Sequence, residues 1–180
     1  MKTTIQTILI AMSVALLSTH ASASLIASLD VGGTLYSGAG PAGSDNAWND
    51  QTVPSGGTDA PAYNLIDNGI TLDLVSNWQW IINDGSAGGS DFAHLTTDWV
   101  WANNTNGATV ELSGFDDNSS YDIYVTVGTS FGTQYGGRFT IGSVTKDAFG
   151  VTTVGNTVQE TTWTEGDNYV VFNDVTSSGG

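Results

Sequence analysis

Two tryptophan pairs are the residues in this 180-residue sequence whose type and spacing most invite chemistry. Trp78-Gln79-Trp80 and Trp99-Val100-Trp101 each set two indoles two residues apart. In a β-strand that spacing puts both rings on one face. Flat sugar faces stack on exposed aromatic rings while Asn, Asp and Gln side chains hydrogen-bond hydroxyls, so the pairs could form a glycan platform. The competing reading is a buried core, where large rings supply most of the area removed from water. Ile81 and Val100 make the opposite faces apolar too, so the residues leave both readings open. Trp48, alone in a long polar loop, is the better single candidate for an exposed ring.

Other chemistries find weaker support. Gly38-Ala39-Gly40-Pro41-Ala42-Gly43 fits G-x-G-x-x-G, but a dinucleotide site needs a helix N-terminus there, and Ser44–Gly57 has no helical period. His94, with Ser90-Asp91 nearby, is the one histidine outside the N-terminal segment, and no G-x-S-x-G elbow accompanies it. Glycoside hydrolysis needs two carboxyls flanking a bound sugar. Among 18 acidic residues some pair always looks plausible in sequence, so none is assigned and no catalytic residue is expected. Calcium would find many oxygen ligands, yet no D-x-[DN]-x-[DN]-G loop is present and Asn83-Asp84-Gly85 reads as a turn. No motif demands a cofactor.

Composition narrows the rest. The formal charge is −15, and −16 after residue 23, where two basic side chains face 18 acidic ones. Such a chain repels phosphate backbones, which argues against nucleic acid as a partner. The absence of Cys excludes disulfides and thiolate zinc sites. Six Trp, six Tyr and six Phe argue against general disorder. Lys2, the apolar run Ile8–Leu17 and Ala21-Ser22-Ala23 read as a secretory signal peptide over residues 1–23, giving a secreted or cell-surface protein. That run is too short for a membrane span, which needs about 18 apolar residues or more. Residues 24–180 are then a single domain, large enough to stand without covalent staples.

The elements that must position these residues are strands. Thr, Val, Tyr and Trp dominate the apolar runs, Gly, Asn, Asp and Ser separate them, and helix periodicity is absent. Strands are expected at Ser24–Val31, Ala62–Ile66, Ile70–Leu74, Trp78–Ile82, Asp98–Ala102, Gly137–Ile141, Thr157–Thr162 and Tyr169–Val175. Asn68-Gly69 predicts a tight hairpin, because both residues tolerate positive φ. A second hairpin is expected between Ala108–Leu112 and Tyr121–Val127, with Asp116–Ser119 at its tip. About ten strands predict an all-β fold, an antiparallel two-sheet β-sandwich of jelly-roll type, with an immunoglobulin-like sandwich second.

Three segments carry a resemblance. Leu112–Val125 (LSGFDDNSSYDIYV), Ala27–Gly33 (ASLDVGG) and Glu165–Phe172 (EGDNYVVF) resemble secreted bacterial jelly-roll domains of the galactose-binding-like type, many of which carry a PEP-CTERM sorting tail. The likeness spans most of residues 24–180. It implies a structural calcium near the chain ends, pointing to Asp30 or Asp174, and kinship with carbohydrate-binding modules. It also implies a final strand and sorting tail after Gly180, so the sequence is expected to be cut short. The resulting expectation is a non-catalytic extracellular module that binds a glycan or matrix polysaccharide. The other readings are an accessory module of a longer polysaccharide-degrading enzyme and a purely structural surface protein.

Overall fold

The computed structural model describes residues 27, 29, 39–44, 56–57, 64–76, 78–82, 99–102, 109–127, 136–150, 153–154, 157–158 and 162–178. The expected signal peptide, nearly all of the strand expected at Ser24–Val31, Asp30, Trp48 and His94 lie outside them. Among the described residues the chain is all-β, every paired strand is antiparallel, and there is no helix. In order the strands are β1 (Ala39–Gly40), β2 (Gly43–Ser44), β3 (Gly56–Gly57), β4 (Asn64–Asp67), β5 (Ile70–Ser76), β6 (Trp78–Ile82) and β7 (Trp99–Ala102). They continue as β8 (Thr109–Ser113), β9 (Ser120–Thr126), β10 (Gly137–Ile141), β11 (Val144–Ala148), β12 (Thr153–Val154), β13 (Thr157–Val158) and β14 (Tyr169–Thr176).

Local turn chemistry sets several of these pairings. Asp67 and Ile70 close a two-residue hairpin between β4 and β5, with Asn68 at φ 48° and Gly69 at φ 82°. Two successive positive φ angles match the twist of the flanking strands, which is why Asn-Gly serves there. The Gly-rich motif near residue 40 forms another tight hairpin, β1 with β2 around Pro41-Ala42, where a dinucleotide site would require a helix. β11, which the sequence reading passed over, pairs with β10 in full register from Gly137↔Ala148 to Ile141↔Val144.

The hairpin expected between residues 108–112 and 121–127 does not form. β8 pairs with β5 instead, and β9 pairs with β14. The connection explains the difference. Gly114, at φ 90°, passes so close to the β4–β5 turn that a Cβ there would lie 2.2 Å from the Gly69 carbonyl oxygen. Beyond it, the Phe115 and Tyr121 rings meet at a 53° tilt with centroids 4.6 Å apart, and the Asp116 amide donates to the Tyr121 hydroxyl. The tip then bonds to the end of β14: Asn118 N–H to Ser177 C=O, and Ser177 N–H to Ser119 C=O. The tip is thus tied to Ser177, just past the end of β14, and the chain leaves one sheet at β8 and enters another at β9.

The best-defined core lies between the β9–β14 and β10–β11 ladders. Val127, Ala148, Val170 and Phe172 are buried there, with Ile123, Val125, Phe139, Ile141 and Val175 packed around them. Val170 and Phe172 are 1% and 2% exposed, and burying a side chain of this size contributes about 1.5–3 kcal/mol. The opposite face of β10–β11 is polar: Arg138 and Asp147 are register partners joined by two hydrogen bonds of 2.7 and 2.8 Å.

Candidate functional site

The alternation of β9 builds one face of interest. Tyr121, Ile123 and Val125 are the half-buried parity, with Ile123 and Val125 packing into the core, while Asp122 and Tyr124 take the exposed parity. Antiparallel register then sets Tyr124 across from Val171 and Thr126 across from Tyr169, so Tyr124 and Tyr169 are diagonal neighbours on the outer face. Their rings lie 5.9 Å apart at 31°. Trp163, on the segment leading into β14, meets Tyr169 edge-on, at 6.3 Å and 81°. The three rings form one contiguous, partly exposed surface, with Tyr124 38% exposed and Val171 buried beside them.

The turn before β14 fixes Tyr169 and Trp163 in place. Asn168 is 1% exposed and bonded at both ends of its amide: its Oδ1 accepts from the Thr164 amide at 2.8 Å, and its Nδ2 donates to the Thr162 carbonyl at 3.0 Å. Its backbone N–H reaches Thr164 C=O, and its C=O accepts from Val127 N–H. A buried amide bonded at both its oxygen and its nitrogen is a rigid support. Trp163 lies between the two residues that the Asn168 side chain binds.

Charge surrounds the rings without entering them. Lys146 donates to Glu165 at 2.9 Å and its ammonium sits 5.9 Å from the Phe172 ring centroid. That hydrogen bond holds the Glu165 carboxyl below its ordinary value, as the Arg138 guanidinium does for Asp147. Asp122 accepts the Asp174 amide at 3.0 Å. Burial first, then the fields of Asp122, Tyr169 and Glu165, raises the Tyr124 phenol above its ordinary value. The hydroxyl therefore stays protonated at neutral pH, able both to donate and to accept. Rigid rings, a protonated phenol and flanking carboxylates suit stacking and hydrogen bonding to a polyol.

The residues singled out by sequence fall elsewhere. Trp80 of β6 is the register partner of Trp101 of β7, and Ile82 that of Trp99. The register slips between Trp78, which pairs with Ala102, and Trp80, while Trp99 to Trp101 pair in unbroken register. Asp174 sits at the β14 bulge with φ 57°, and its Oδ1 lies 3.4 Å from the Ser120 hydroxyl. Among the described residues no three His, Cys, Asp or Glu side chains gather as a metal site. On β5, Asp73 faces Glu111 in register, and its buried Oδ1 has no hydrogen-bond partner. Sequence reasoning passed over Tyr124, Tyr169 and Trp163. The signal for Tyr124 was present: it is the one aromatic on the Asp122/Tyr124/Thr126 parity of an otherwise alternating strand.

Comparison with family models, with curated proteins and with solved structures gave no match to this chain.

Proposed function

We propose that this chain is a secreted, non-catalytic β-sandwich module of jelly-roll type that recognises a glycan at the cell surface or in the extracellular matrix. The observation that carries the reading is the Tyr124–Tyr169–Trp163 surface, where Tyr169 meets Tyr124 on one side and Trp163 on the other. Exposed aromatic area on a rigid strand face suits the apolar faces of sugar rings, and the protonated Tyr124 hydroxyl suits their hydroxyls. The strand-rich architecture and the N-terminal apolar segment support an exported all-β domain.

A glycan array probed with the wild-type chain and with Tyr124→Ala tests the reading. Binding by the wild type, weakened about tenfold by loss of one stacked ring, is the expected outcome. Circular dichroism of the variant should be unchanged, because Tyr124 lies on the outer face. Equal binding by both proteins would remove this surface from consideration.

A further inference from the structure

We infer that the Tyr124–Tyr169–Trp163 face takes an uncharged polysaccharide chain and refuses uronate, sulfated or phosphorylated polymers. The inference rests on the glycan reading above and deepens it. After residue 23 the sequence contains two basic side chains, Arg138 and Lys146. Arg138 is bound through two nitrogens to Asp147, and Lys146 is bound to Glu165. Both basic groups are thus already held by carboxylates.

An anionic sugar brought to the rings would meet the carboxylates of Asp122 and Glu165 and would have to break one of those pairs to find a cation. Across the whole chain it would approach a net charge of −15. Like-charge contact at a recognition surface costs affinity and suppresses the wrong partner. A cationic sugar is drawn to the acidic surface as a whole, Asp122 included, by an attraction that salt screens and that needs no ring, while Glu165 is already paired with the Lys146 ammonium. What the face offers is ring area and hydroxyl hydrogen bonding, the chemistry of a neutral polyol.

The test is titration calorimetry with oligosaccharides of equal length, at low and high salt, using the wild-type chain and Tyr124→Ala. The probes are neutral hexose oligomers (glucose, mannose and galactose series), an oligogalacturonate and an oligoglucosamine. At least one neutral series should bind, change less than about twofold between the two salt conditions, and weaken about tenfold in Tyr124→Ala. The galacturonate should show no binding that depends on Tyr124 at either salt. Any glucosamine binding should vanish at high salt and ignore the substitution. Tyr124-dependent binding of galacturonate, or salt-resistant binding of glucosamine tighter than any neutral series, overturns the inference while leaving the glycan reading intact. Silence from every probe overturns the glycan reading, and this inference with it.

Discussion

Asn168 illustrates how one buried polar side chain shapes the candidate face. Its amide bridges the Thr162 carbonyl and the Thr164 amide on either side of Trp163. Replacing it with Ala leaves a part-buried donor and acceptor without partners, and each such group costs about 1–3 kcal/mol. Asn168→Ala should therefore lower unfolding free energy by about 2–4 kcal/mol in urea titration. An unchanged midpoint would show that water replaces both bonds. Asp at this position can accept from Thr164 but cannot donate to Thr162, so it should also destabilise. The sequence held only part of this site in readable form. Tyr124 was legible as an aromatic out of phase with its own strand. Trp163 and Tyr169 were not, because their meeting depends on how the Thr164–Asn168 turn folds back. The register slip between Trp78 and Trp80 was not legible either, because slips of that kind are set by pairing geometry.

At the scale of elements, the passage from β8 to β9 decides the topology. Gly114 lies against the Gly69 carbonyl at the tip of the β4–β5 hairpin, so the turn of one hairpin seats the exit of the strand that joins its sheet. Gly114→Ala forces a Cβ into backbone and into a φ that side chains disfavour. The expected loss is about 2 kcal/mol or more, read from thermal or denaturant unfolding. A near-neutral result would mean that the loop moves aside and that its contact with Gly69 does not hold the crossing. This element also marks where sequence reading ends. Asn68-Gly69 was legible because its hairpin needs only two residues with positive φ. The partner of β8 was not, since six residues between two alternating strands also fit a hairpin, and the choice of β5 rests on contacts far apart in the chain. β11 was hidden by its polarity. Val144-Thr145-Lys146-Asp147-Ala148 becomes a strand through its register with β10, where Arg138 meets Asp147 and Thr140 meets Thr145.

For the whole molecule the governing quantity is charge. With −15 on 180 residues and few cations, compaction brings carboxylates together and self-repulsion opposes folding. The Arg138–Asp147 and Lys146–Glu165 pairs are at the surface, where such pairs contribute little. Added salt screens both effects, and the repulsion is the larger, so the melting temperature should rise with sodium chloride in differential scanning fluorimetry. A fall would show that the two ion pairs outweigh the net charge. The same imbalance leaves the aromatic face of β9–β14 flanked by the carboxylates of Asp122 and Glu165, and its rings are where a neutral ligand would gather contact. The most direct test is a backbone and indole amide NMR spectrum recorded during titration with a neutral oligosaccharide. Shifts should concentrate on Asp122–Thr126, on the Trp163 indole and on Tyr169–Val171. Shifts confined to Trp78–Ile82 and Trp99–Ala102, with the β9–β14 ladder unmoved, would contradict glycan binding at this face.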